Sequence, residues 1–214
     1  MSAPPPESWL FVTHLGAAGI MLPMLMMIAA ELWLARRTSE LLTWMLALAA
    51  GVALVLASKV AFIGWGWGSA SLDFTGISGH TMLASSIFPV WLGWLLAGPS
   101  RRFSLYGVAL GLAIGAVVGW SRLVLGAHSP SEVILGWLLG MGISVVAYRA
   151  MKEKPSSQGM TTLAGGLLLL AFSPSLSGYL PTHTWEIRAA LALSGRAQPH
   201  TRQDLYRRGR VERV

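Results

Sequence analysis

The chain contains no cysteine. Neither a disulfide framework nor a thiolate metal site can be built from it, and cysteine usage says nothing of its redox compartment. Charge is also scarce, at 12% of 214 residues against 54% hydrophobic, a balance that a water-soluble domain of this length does not show. The first eight residues hold three prolines and no basic side chain. The positive n-region of a cleavable signal peptide is therefore missing, and the first hydrophobic segment is expected to stay in the mature protein. Carboxylates are outnumbered, nine against sixteen Lys and Arg, for a formal charge of +7. That excess does not indicate nucleic acid. Seven of the sixteen basic residues lie between Arg188 and Arg213, and most others sit in short gaps between apolar runs, where membrane proteins place them to fix orientation.

What the chain has in abundance is long apolar runs. A spanning helix needs about 20 mostly apolar residues, and five segments meet that standard: Trp9 to Ala35, Leu41 to Gly64, Ile77 to Ala97, Phe103 to Trp120, and Ser131 to Arg149. A sixth run, Met160 to Phe172, must extend to about Leu180 to cross, through Pro174 and Gly178. The expected fold is an all-α polytopic transmembrane bundle of five core helices, with this run as a sixth. Residues 1–180 make one transmembrane domain and 181–214 a basic C-terminal tail, helical near Trp185 to Leu193 and flexible beyond. The stretch from Trp65 to Gly76, rich in Gly and Ser, reads as an ordered loop.

Orientation follows from the gaps. Arg36, Arg37, Arg101, Arg102, Arg149, Lys152 and Lys154 fall on one side, against Lys59 and Arg122 on the other, so the seven are expected to be cytoplasmic and the N-terminus outside. Trp9, Trp65, Trp67 and Trp120 would then mark the outer interface, and Trp33, Trp44 and Trp94 the inner one.

The outer side should be poor in charge, yet Lys59, Ser78-Gly79-His80, Ser121-Arg122, His128 and Glu132 all fall there. Ionisable groups at membrane depth are costly and mark functional sites by default. Their types suit phosphate: Lys and the planar fork of Arg supply charge and donors, and a helix starting at Ser78 offers unpaired backbone N–H groups to an anion. Of two histidines, one can attack phosphorus and the other donate to the leaving oxygen, with a carboxylate beside one imidazole to set their proton affinities apart.

The spacing Ser121-Arg122, five residues, His128, three residues, Glu132, preceded by Ser78-Gly79-His80 and Lys59, resembles the type-2 phosphatidic acid phosphatase superfamily over roughly Leu41 to Arg149. The resemblance implies His128 as a nucleophile forming a phosphohistidine, Glu132 as its orienting carboxylate and His80 as general acid. It implies Lys59, Ser78, Gly79, Ser121 and Arg122 as ligands of the phosphoryl oxygens, with no metal and no cofactor. Three positions depart from the family pattern. Its Arg-Pro falls at Gly66 and Trp67, its proline before Ser-Gly-His is Ile77, and its aspartate is Glu132.

Plainer roles compete at several of these positions. Ser129-Pro130-Ser131-Glu132 reads as a capping box, Lys59 as a snorkelling lysine and Ser78 as an N-cap. Gly107, Gly111, Gly115 and Gly119 read as a helix-packing face. His14 and Asp73 lie on the same side as the site without a partner pattern. The resulting expectation is a lipid phosphatase of a bacterial inner membrane that takes a lipid phosphate or diphosphate, such as undecaprenyl diphosphate, from the outer leaflet. The alternatives are a phosphotransferase with the same intermediate, and a lipid-phosphate binder or transporter lacking the motif arginine.

Overall fold

A computed structural model describes residues 7–97, 101–151, 165–166 and 181–211. The helices bounded there are α1 (Glu7–His14), α2 (Ala18–Leu34), α3 (Thr38–Trp65), α4 (Gly79–Leu95), α5 (Arg101–Val124), α6 (Pro130–Ala150), α7 (Thr182–Ser194) and α8 (Arg202–Val211). The architecture is an all-α bundle. Among the described residues, four stretches are long and apolar enough to cross a membrane: Glu7–Leu34, Thr38–Trp65, Ser104–Val124 and Pro130–Ala150. The run from Met160 to Leu180 lies outside the described residues, apart from Gly165 and Gly166.

Helix α4 is the axis of the bundle. Its 17 residues span about 25 Å, and from Thr81 to Gly93 every position but Leu83 is buried. Two neighbours approach it through glycine. A Cβ at Gly107 or Gly111 would run into the α4 backbone at Leu92 and Pro89, one at Gly115 would meet Ser85, and one at Gly119 would lie 3.0 Å from Thr81 Cγ2. On α6, a Cβ at Gly136 would lie 2.6 Å from the carbonyl oxygen of Ser78, and one at Gly140 would meet that of Met82. The four-residue glycine spacing thus serves close helix packing, which draws the N-termini of α4 and α6 and the C-terminus of α5 to one end.

The first apolar segment is not the single helix its hydropathy predicts. It breaks between α1 and α2, where Leu15 N donates to Val12 O (3.2 Å) and Gly16 N to Thr13 O (3.1 Å). Gly16 permits the break: a Cβ there would lie 2.8 Å from the carbonyl oxygen of His80 and 2.7 Å from Val118 Cγ1. The turn sets Thr13 and Gly16 against the functional end of the bundle. One belt residue also differs from expectation. Trp33, Trp65, Trp67 and Trp120 are exposed, but Trp44 is fully buried in the core cluster that holds Leu32, Leu48 and Ala147.

The C-terminal tail departs most from its reading. Helix α7 contains the predicted Trp185 to Leu193, but α8 follows where flexible chain was expected, and both dock on the C-terminal end of α3. Leu205 and Ala190 bury against Phe62 and Ile63, and His200 N donates to Ile63 O (2.9 Å). A Cβ at Gly64 would lie 3.1 Å from Ser194 Cβ and 3.2 Å from Ala190 O. The apolar end of α3 demands a cover, and the tail supplies it.

Candidate active site

Helix α3 ends at Gly66, a left-handed cap with φ of +73°. A glycine meets that backbone at no steric cost, which accounts for its presence where the family pattern has arginine. The chain then forms an ordered loop: Ser69 and Phe74 exchange backbone hydrogen bonds at 3.0 and 2.9 Å, and Ser131 Oγ donates to Leu72 O (2.7 Å). Ile77 N donates to Ser58 Oγ (3.0 Å), which returns the chain to α3 before α4 begins.

The central element is the pair His128 and Glu132. Nδ1 of His128 lies 2.6 Å from Glu132 Oε2. Because the carboxylate accepts, Nδ1 carries the proton and Nε2 keeps its lone pair. Glu132 is fully buried, so its oxygens must be satisfied by protein groups. Ser129 N donates to Oε2 (3.1 Å), one arm of a capping box with Pro130 at the first helical position. Thr75 donates to Oε1 from both N (2.7 Å) and Oγ1 (2.6 Å). Arg202 Nη2 reaches both oxygens, at 2.8 and 2.9 Å. The capping contact of Glu132 and its contact with His128 therefore coexist.

His128, but not the buried Glu132, opens onto a cavity of about 960 Å³ lined by Lys59, Gly79, His80, Arg122, His128 and Arg202 at its polar end. Arg122 donates from Nη1 to Thr13 Oγ1 (2.7 Å), while its buried Nε has no hydrogen-bond partner among the described residues. Lys59 Nζ bonds Glu186 Oε1 of α7 at 2.7 Å. A Cβ at Gly76, whose φ is +150°, would lie 2.7 Å from Lys59 Cγ, so the loop packs directly on the lysine. Burial, the dominant influence, pushes the His128 imidazole below its ordinary range. The hydrogen bond and charge of Glu132 oppose that fall, and Arg122 and Lys59 add to it. A neutral imidazole at neutral pH follows, as a nucleophile requires.

Not every predicted residue reaches the cavity. Ser78 and Ser121 are fully buried and do not line it. The Ser78 hydroxyl pairs with Thr81 Oγ1 (2.9 Å) and its N–H donates to Glu132 O (3.1 Å), while Ser121 Oγ donates to Val118 O (2.6 Å). Both secure the framework behind the site, because each hydroxyl already has a partner in the bundle. Conversely, Thr13, Thr75, Glu186 and Arg202 join the site without a sequence signal strong enough to name them, and Asp73, placed on this side by the sequence without a partner, pairs with Arg202. The contact from Arg202 to Glu132 closes over 70 positions of sequence. Among the described residues, no group of three or more His, Asp and Glu has metal-site geometry.

Away from the charges the cavity is apolar. Leu22 of α2, Val52, Val55 and Leu56 of α3, and Met82 and Leu83 of α4 line its depth, and Val52 lies about 10 Å below Lys59 along the helix axis. Leu22 and Leu56, at 40% and 43% exposed, bring it to the lateral surface of the bundle.

Comparison with known proteins agrees with this geometry. No solved structure matches the chain. A 22.5 kDa protein in the cps region of Klebsiella pneumoniae is 38% identical over 94% of this chain and 98% of its own length. Phosphatidylglycerophosphatase B of Bacillus subtilis (strain 168) is 29% identical over 61% of this chain and 67% of its own. The PAP2 superfamily profile matches residues 61–156, which contain His80, Arg122, His128 and Glu132, and the chain belongs to the PAP2 superfamily.

Proposed function

We propose that this membrane phosphatase hydrolyses a lipid phosphate or diphosphate at the outer face of a bacterial inner membrane, through a phosphohistidine on His128. The observation that carries the reading is His128, held by Glu132 at 2.6 Å, at the polar head of a cavity whose apolar depth reaches the lipid-facing surface. A phosphate at that head meets Lys59 and Arg122, whose buried Nε has no other hydrogen-bond partner among the described residues, while acyl or isoprenoid chains fit the apolar part. The relative named phosphatidylglycerophosphatase B supports lipid phosphate as the substrate class.

The chemistry proceeds in two steps. Nε2 of His128 attacks phosphorus, the bond from phosphorus to the leaving oxygen breaks, and His80 gives that oxygen its proton. Water then attacks the phosphohistidine and loses a proton to His80, and inorganic phosphate departs, restoring Nε2. Lys59 and Arg122 bind the phosphoryl oxygens and stabilise the charge that builds on them.

The test is a panel of lipid phosphates offered to purified protein in detergent: undecaprenyl diphosphate, phosphatidylglycerol phosphate and phosphatidate, with and without a chelator. Release of inorganic phosphate from at least one lipid, undiminished by chelation, is expected. Binding without release would favour the binder or transporter reading, and label passing to a second lipid would favour a phosphotransferase.

The outer-face assignment rests on the basic residues of the short connections, seven on one side against two on the other. A topology reporter inserted within residues 69–75 is expected outside and one after Arg102 inside. The reverse pattern would place the site on the cytoplasmic leaflet.

A further inference from the structure

The family profile ends at residue 156, yet the charged end of the cavity is completed by a residue 46 positions further on. Arg202 is the first residue of α8, and its position is fixed from several directions. Thr201 donates to Asp204 Oδ2 from N (2.9 Å) and Oγ1 (2.7 Å), closing the start of the helix. His200 N is tied to Ile63 O, and Leu205 is buried against the end of α3. From that anchor the guanidinium bridges two carboxylates: Nη1 lies 2.8 Å from Asp73 Oδ2, and Nη2 bonds both oxygens of Glu132.

We propose that Arg202 is a positioning residue for the reaction: it fixes the Glu132 carboxylate in place and neutralises its charge, so that Glu132 orients His128 without drawing it into the imidazolium form. The proposal rests on the phosphohistidine reading above. Glu132 is fully buried and accepts from Thr75, Ser129 and His128, all neutral donors when His128 is poised to attack. Arg202 supplies the full positive charge that balances the carboxylate. Residue 66, where the family pattern has arginine, is a left-handed glycine cap, so the core of the domain provides no cation there. Burial works against the Arg202 charge, but Glu132, by charge and hydrogen bond, and Asp73 more than offset it and hold the guanidinium above its ordinary range.

The sign of the pH effect follows from the groups around His128. Arg122 from α5 and Lys59 from α3 oppose its protonation, Glu132 from α6 favours it, and His80 from α4 faces it. Arg202 and Asp73 stand behind Glu132, and Glu186 stands on Lys59. Removing Arg202 leaves the Glu132 charge uncompensated, so the imidazolium gains and His128 holds its proton to higher pH. The acid limb of the rate profile, where protonation silences the nucleophile, must move upward.

The experiment compares wild type, Arg202→Met, Arg202→Lys, Asp73→Asn and, as reference, His128→Ala, using full-length protein in detergent and the panel lipid turned over fastest. For Arg202→Met, kcat is expected to fall about ten- to hundred-fold, the range of one or two hydrogen bonds to a charged partner. KM should be little changed and the acid limb displaced to higher pH. Arg202→Lys should recover part of both, and Asp73→Asn should show a smaller shift of the same sign, which keeps the test open if Arg202→Met does not fold. An unmoved acid limb in the folded variants overturns the proposal, as does higher activity, which would make the contact inhibitory. A raised KM with unchanged kcat also overturns it, since Arg202 would then bind substrate. If His128→Ala keeps its turnover, or no panel lipid is hydrolysed, the phosphohistidine reading fails and takes this inference with it.

Discussion

Replacing His128 by alanine is expected to reduce phosphate release to background while leaving the bundle intact. The side chain is at the end of a loop rather than in the helical core, and its hydrogen bond is to Glu132, which keeps Thr75, Ser129 and Arg202 as partners. The fold therefore loses little. Chemistry loses the proposed nucleophile, while the Ser121 hydroxyl is committed to Val118 O and the Ser78 hydroxyl to Thr81, and His80 is assigned to proton transfer. Phosphate release by the folded variant, measured with the panel lipids, decides the point. Substantial turnover would mean that His128 is not the nucleophile, leaving water or His80 to attack phosphorus.

His80→Ala is expected to produce the next largest loss, and one that depends on substrate. General acid help is typically worth about 10²–10⁴-fold, and that is the expected fall when the departing group is a lipid alkoxide, a strong base that must take up a proton to leave as the alcohol. With p-nitrophenyl phosphate, whose leaving oxygen is already a weak base, the loss should be far smaller. His80 sits at the start of α4 with its backbone against Gly16 and its side chain on the cavity, so truncation removes the imidazole without disturbing α4 below it. Equal losses on both substrates would assign His80 to phosphate binding instead.

Much of this site was legible because the chemistry is carried by short spacings. His128 and Glu132 are four positions apart across a helix start, where the capping box and the His128–Glu132 contact use the same local geometry, and the helix order follows directly from hydropathy. Residues joined only by tertiary docking were not legible. Arg202, in a polar tail, has no periodic pattern linking it to residue 132, and its place is set by Leu205 and His200 meeting the end of α3. Hydropathy also ran α1 and α2 together, because an apolar run is blind to a break that needs only Gly16 and a close neighbour. Ser78 and Ser121 failed to reach the cavity for a related reason. Sequence places a hydroxyl on a helix, but its neighbours decide which way it turns.

The proposed covalent phosphohistidine on His128 can be trapped by rapid acid-free quenching of the enzyme with ³²P-labelled lipid phosphate. Label is expected on the protein within a turnover, stable to alkali and lost in acid, mapping to the peptide that contains His128 and absent from His128→Ala. Full turnover by wild type with no label trapped under conditions that preserve phosphohistidine, or equal labelling of His128→Ala, would contradict it.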